Sequence, residues 1–327
     1  MSDTAVLSVN GVFKSFTDVR AVQGISFEVR PGEIFGFLGP NGAGKTTTLR
    51  MIMEITRPDQ GEVLFEGKPG LDRSRVGYLP EERGLFEDGT LIDTLVYLGT
   101  LRRMSRRDAA AAAREWLERL GLADRIKAKV GTLSKGNQQK VQFAGAILHR
   151  PALAVLDEPF SGLDPLNQEL FIGLIRELRD QGSAMLISAH QLNLVERLCD
   201  RLLLISQGRA LLSGTLAELR ASAVGGADEV VTLELRAIHA GQSDDLSRLI
   251  LAAAPAAQHQ VHAEPNGVIR VEVSLPSRAD LSPLLAEISA RYRVERVTMR
   301  EVSLHEIYVR AVGGDVEDER MEEAAHV

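Results

Sequence analysis

The sequence predicts an α/β protein: a layered unit on a mainly parallel sheet, followed by a smaller α+β unit. Three observations carry this expectation. From residue 7 to about residue 219, short apolar runs alternate with longer amphipathic stretches, as strands and helices do when wound in turn. The runs Ile34-Phe35-Gly36-Phe37-Leu38, Leu153-Ala154-Val155-Leu156 and Ala184-Met185-Leu186-Ile187 read as strands covered on both faces. Beyond residue 229 the element order becomes strand, helix, strand, strand, helix, strand.

Taken in order, Leu7-Ser8-Val9 and Ile25-Ser26-Phe27-Glu28-Val29 alternate in polarity and predict half-exposed antiparallel strands. The amphipathic stretches 107–120 and 166–180 predict helices between the core strands. Residues 221–229, small and holding two glycines, read as a linker between a first domain, 1–220, and a second, 230–313. The second domain is expected to run as strand 230–236, helix 244–253, strand 258–263, strand 268–274, helix 279–290 and strand 294–300. A helix over 303–312 closes it. That βαββαβ order predicts a ferredoxin-like sandwich, and Pro265-Asn266-Gly267 between two alternating runs marks a hairpin turn. Residues 314–327 hold six acidic residues and one arginine and are expected to be disordered.

Composition excludes several classes. Of 327 residues, 44% are hydrophobic and 25% charged, the balance of a globular protein. Forty-five acidic against 38 basic residues give a net charge of −7, which argues against a nucleic-acid-binding surface over the whole molecule. Cys199 is the only cysteine, so an intrachain disulfide, a cysteine-cluster zinc site and an iron–sulfur cage are excluded; it reads as a small buried hydrophobe. Met1-Ser2-Asp3-Thr4 lacks the basic and apolar regions of a secretory signal. No apolar stretch approaches the ~18–20 residues that span a bilayer.

The chemistry begins at Gly39-Pro40-Asn41-Gly42-Ala43-Gly44-Lys45-Thr46, followed by Thr47, which fits GxxxxGK[ST] between a predicted strand and a predicted helix. Glycines let backbone N–H groups wrap phosphates, and the helix N-terminus adds positive potential. Lys45 is placed to reach the β- and γ-phosphates and the Thr46 hydroxyl to ligate Mg²⁺. A second apolar run ends in Asp157-Glu158, which brings two carboxylates to the edge of the sheet where open α/β folds bind ligands. Asp157 is expected to hold Mg²⁺ and Glu158 to act as general base on the attacking water.

Together with Leu133-Ser134-Lys135-Gly136-Asn137, Ser161-Gly162-Leu163-Asp164 and His190, these motifs closely resemble the nucleotide-binding subunit of ATP-binding cassette (ABC) transporters over about residues 7–219. The resemblance implies a mainly parallel P-loop sheet with an antiparallel β subdomain and a helical subdomain. It implies Mg²⁺ and ATP, with two cassettes pairing head to tail around two nucleotides, as a homodimer or with a second ATPase subunit. Ser134 and Gly136 would touch the γ-phosphate bound by the other cassette, and Asp164 would couple the two sites. His190 would contact the γ-phosphate and orient water, and Phe16 would stack on adenine. The remaining partner would be a separately encoded integral-membrane permease, with the chain on the cytoplasmic face of the cell membrane and no nucleic acid bound.

Three positions depart from the commonest pattern of that family. Glu81 stands where most members have a metal-contacting glutamine, Lys135 replaces the first glycine of the signature and Asn137 its closing glutamine. Such a signature resembles the sodium-efflux and drug-efflux branch, some of whose members carry an extra C-terminal domain, and so implies export. Residues 84–91, with Leu95 and Tyr97, fall where the family receives a coupling helix of the permease, or else form an ordinary helical core. The alternative function is a soluble ABC ATPase acting on ribosomes or nucleic acid. Relatives of that kind tend to carry two cassettes or a long coiled coil, and this chain has neither. A guanine-reading Asn-Lys-x-Asp motif is absent, which removes a signalling GTPase.

Overall fold

Alternation of side chains along each strand explains why the first unit is layered. In the computed structural model, residues 4–82, 84–223, 229–237, 243–253, 258–263, 267–275 and 280–312 are described, and the chain divides into compact units 1–213 and 214–327. The first unit opens with β1 (Leu7–Phe16) and β2 (Val19–Val29), then β3 (Ile34–Leu38), α1 (Lys45–Ile52), β4 (Gln60–Phe65), β5 (Lys68–Pro69) and β6 (Val76–Leu79). Helices α2 (Leu91–Leu101), α3 (Arg106–Arg119) and α4 (Lys135–Ile147) follow. The unit is completed by β7 (Leu153–Asp157), α5 (Pro165–Asp180), β8 (Ala184–Ala189), α6 (Leu192–Leu198), β9 (Arg201–Ser206) and β10 (Arg209–Gly214).

A six-stranded sheet of order β10-β9-β3-β8-β7-β6 forms the centre, with β6, β7, β8, β3 and β9 parallel. Along β7, Leu153 and Val155 enter the core shared with α1 and the antiparallel sheet β2-β1-β4-β5, while Ala154 and Leu156 enter the core shared with α2–α5. Both faces are therefore dry, and the apolar runs follow from that. Phe27 of β2 stacks on Phe35 and Phe37 of β3, with centroids 5.1 and 5.4 Å apart, and pins the antiparallel sheet to the central one. Cys199 packs beneath Gly36, where an added Cβ would stand 3.0 Å from its sulfur, and burial holds its thiol far above the ordinary cysteine range.

Local chemistry sets the helix starts. Thr90, Ser105, Ser134 and Asp164 accept from the backbone N–H three residues on and cap α2, α3, α4 and α5. The apolar segment before and within α2 divides between the two readings its sequence leaves open. Leu91 and Leu95 are fully buried, because one helical turn separates them and both face the core. Phe86 and Tyr97 remain outside, 65% and 48% exposed, in an edge-to-face pair 6.0 Å apart, and Leu101 at the end of α2 is exposed as well.

The second unit starts earlier than residue 221. Helix α7 (Leu216–Ala223) belongs to it: Arg220 donates to the Val302 carbonyl at 2.8 Å and pairs with Glu301. Residues 221–223 thus end a helix rather than begin a linker, and 224–228 lie outside the described residues. Then come β11 (Glu229–Ala237), α8 (Ser243–Ala253), β12 (Gln258–Ala263), β13 (Val268–Leu275), α9 (Ser282–Ser289) and β14 (Tyr292–Glu301), with residues 304–312 helical. The sheet order is β12-β13-β11-β14, with every described pairing antiparallel, as a ferredoxin-like sandwich requires. Val231, Leu233 and Leu235 of β11 meet Leu246 and Ile250 of α8 and Leu284 and Ile288 of α9 in one core. Pro265, Asn266 and the acidic 314–327 segment lie outside the described residues.

Candidate active site

The phosphate-loop segment leaves the buried strand β3 under tight steric control. At Gly39 an added Cβ would stand 2.4 Å from the Ile205 carbonyl oxygen, and at Gly44 (φ +99°) 2.3 Å from that of Ala21. Only glycine combines that backbone conformation with so close an approach. Gly44 caps α1, whose first residue is Lys45. The Lys45 ammonium is buried and donates to the carbonyls of Gly39 at 2.7 Å and Pro40 at 3.1 Å. It is thereby held among loop oxygens, a position from which phosphate oxygens can take over the same donors.

The two carboxylates sit where β7 ends. Register places Asp157 opposite Ser188 of β8, and the Ser188 hydroxyl donates to Asp157 Oδ1 at 2.5 Å. Asp157 Oδ2 is buried without a hydrogen-bond partner. Burial pushes the Asp157 pKa up, against the Ser188 hydrogen bond, which works the other way. Glu158 has φ +51°, and its N–H donates toward the Ser188 carbonyl at 3.2 Å and hydroxyl at 3.1 Å. Its Oε2 lies 2.8 Å from His190 Nδ1. Burial also raises the Glu158 pKa, opposed by the neighbouring His190 and Lys45 charges.

One cleft of about 590 Å³ collects most of the expected residues: Pro40, Asn41, Gly42, Gly44, Lys45, Thr46, Thr47, Glu81, Asp157 and Glu158. Gly39, Ala43 and His190 are not in the lining, and His190 adjoins it through its contact with Glu158. Phe16 is not in the lining; it closes the β1–β2 hairpin opposite Val19, 48% exposed, with the Lys14 ammonium 5.4 Å from its ring centroid. Ser134, Gly136 and Asp164 are also outside the cleft. Ser134 and Asp164 cap their helices, and a Cβ at Gly136 would stand 3.1 Å from the Gly162 carbonyl, so the Ser134 and Asp164 segments adjoin each other.

Several lining residues carry no motif. Val19, Arg20 and Gln23 reach the cleft from β2, and Gln207 from the β9–β10 turn. They converge because Gln23 bonds through its backbone to the Gly208 carbonyl and through its side chain to that of Gln207, both at 2.8 Å. Two glutamines of α4 grip the carboxylate-bearing loops from behind. Gln139 donates to the Pro159 carbonyl at 3.1 Å, and Gln142 to those of Pro80 at 3.0 Å and Glu82 at 3.1 Å.

Among the described residues no group of three or more His, Cys, Asp or Glu side chains could hold a metal alone. The residues lining the cleft include the oxygen donors Thr46, Asp157 and Glu81. An orphaned buried carboxylate oxygen among hard donors fits a cation that takes its other ligands from phosphates and water, as Mg²⁺ does.

The chain's likenesses agree with this arrangement. A family described as "ABC transporter" matches residues 22–161. The uncharacterized ABC transporter ATP-binding protein YhaQ of Bacillus subtilis strain 168 is 36% identical over 94% of this chain and 99% of its own. The Nod factor export ATP-binding protein I of Burkholderia lata is 34% identical over 96% of this chain and 99% of its own. Among solved structures, an ATP-binding subunit of an ABC transporter superposes with a TM-score of 0.62 at 31% identity, covering 66% of this chain and 92% of that one. Among the described residues no helix is long and apolar enough to cross a membrane. With a relative matched almost end to end and a phosphate loop facing two carboxylates, the chain belongs to the ABC transporter ATP-binding subunits and is an ATPase.

Proposed function

We propose that the chain powers export through a separately encoded membrane permease, by closing head to tail on a second cassette around ATP. The observation that carries this is the single cleft in which the Lys45 loop faces an orphaned Asp157 oxygen and a Glu158 already bonded to His190. Lys45 and the backbone N–H groups of the loop bind the β- and γ-phosphates. Thr46, Asp157 and Glu81 hold Mg²⁺, which when bound polarises phosphate oxygens as a Lewis acid. Glu158 takes the proton of the attacking water, and His190 fixes the Glu158 carboxylate and contacts the γ-phosphate. Phe16, at the hairpin tip, gives the adenine a ring to stack on.

Ser134, Gly136 and Asp164 lie outside their own cleft, which leaves them for a partner cassette's nucleotide. There the N-terminus of α4 offers a second anion site to the γ-phosphate, and Asp164 links one site to the other. The second cassette is another copy of this chain or a related ATPase subunit. Export follows the direction in the name of the Burkholderia lata relative. The exposed Phe86–Tyr97 pair supports this reading as an apolar foothold for the permease. In the same reading the chain works on the cytoplasmic face of the cell membrane.

Two substitutions test this. Glu81→Gln removes one charge beside Asp157, so the Mg²⁺ concentration for half-maximal ATPase activity should rise; an unchanged titration takes Glu81 away from the metal. Phe86→Asp alters an exposed side chain, so the fold should keep its stability within about 0.5 kcal/mol. Co-purification with the permease should be lost; retained co-purification moves the docking surface elsewhere.

A further inference from the structure

Ser188 lies two residues before His190 in the middle of the central sheet, is 0% exposed, and belongs to no motif. Its one hydroxyl does two things. The proton goes to Asp157 Oδ1 at 2.5 Å, and the oxygen accepts the Glu158 N–H at 3.1 Å. Asp157 is thereby held by one oxygen, with its other oxygen buried and unpartnered beside the phosphate loop. The Glu158 backbone is held in a left-handed conformation that a non-glycine residue adopts only under constraint. One hydroxyl therefore holds the Asp157 carboxylate and touches the backbone of the residue after it.

We propose that Ser188 is a positioning residue for the metal step: it locks the Asp157 carboxylate in the one rotamer that presents Oδ2 to Mg²⁺. This rests on the reading of Asp157 as a metal ligand. Partners that orient a ligating carboxylate from behind commonly change metal affinity about 10–100-fold when removed. The Glu158 N–H keeps the Ser188 backbone carbonyl at 3.2 Å whatever side chain stands at 188, so the loss falls mainly on Asp157.

Ser188→Thr and Ser188→Val form the test, because both add the same bulk to a closed site and differ only in the hydroxyl. Metal binding is read directly, as Mn²⁺ affinity by electron paramagnetic resonance in the presence of ADP, beside the Mg²⁺ dependence of ATPase activity and the melting temperature without nucleotide. The expected result is a Mn²⁺ affinity about 10-fold weaker in Ser188→Val than in Ser188→Thr, with similar melting temperatures and equal ATP affinity in EDTA. Equal Mn²⁺ affinities in the two variants overturn the proposal. So does a Val-specific drop in melting temperature together with weaker ATP binding in EDTA, which marks a purely structural hydroxyl. Asp157→Asn in parallel separates the two levels: if it leaves Mn²⁺ affinity unchanged, the metal-ligand reading itself fails. If it abolishes binding while Thr and Val agree, only the role of Ser188 fails.

Discussion

Glu158→Gln is expected to bind ATP while turning it over roughly 10²–10⁴-fold more slowly, the usual worth of a positioned base. The amide keeps the volume and can keep a hydrogen bond to His190, now 2.8 Å from Oε2, but offers no basic lone pair to water. The native site also fixes the sign of the pH dependence. Burial raises the Glu158 pKa, so the carboxylate takes up its proton at a higher pH than a solvated glutamate does. Turnover in the native protein should therefore decline on the acid side from above the ordinary glutamate range. In Glu158→Gln that acid limb should vanish. A variant with native kcat, or an unaltered acid limb, removes Glu158 from the role of base.

Gly44→Ala is expected to abolish ATP binding and to lower the melting temperature. The added methyl must occupy φ +99° and meet the Ala21 carbonyl oxygen at 2.3 Å, a backbone atom rather than a yielding side chain. Strain of that kind costs about 1–3 kcal/mol and overpacking a further ~1–3 kcal/mol. At about 2–4 °C per kcal/mol for a unit of this size, the melting temperature should fall by roughly 4–24 °C. Calorimetry and equilibrium nucleotide binding check both parts. Gly42→Ala is the control: its φ is +83° but nothing stands within 4 Å of the added Cβ, so it should show the strain alone.

What could be read in the sequence followed the range over which each signal acts. The phosphate loop and Asp157-Glu158 are contiguous, and their flanking strands are apolar because both sheet faces are covered, so strand, loop and helix were all legible. Helices 107–120 and 166–180 came within a residue of α3 and α5, since each is amphipathic along its length. Ser188, Gln139 and Gln142 were not legible. Each acts on residues distant in sequence, and only strand register or helix docking brings them together: Ser188 meets Asp157 through the β7–β8 pairing. Leu91 and Leu95 show the converse. Their apolar character was plain, but which partner covers it is settled by packing, and the core covers both. The start of the second unit was missed for a similar reason, because Arg220 is tied to Glu301 and Val302 far along the chain.

The direct test is the mass of Glu158→Gln by light scattering, with and without Mg-ATP. A nucleotide that bridges the Lys45 loop of one cassette and the Ser134 segment of the other should double the mass on adding Mg-ATP, and Ser134→Arg in the same background should cancel the doubling. A single-chain mass at saturating Mg-ATP would contradict the account.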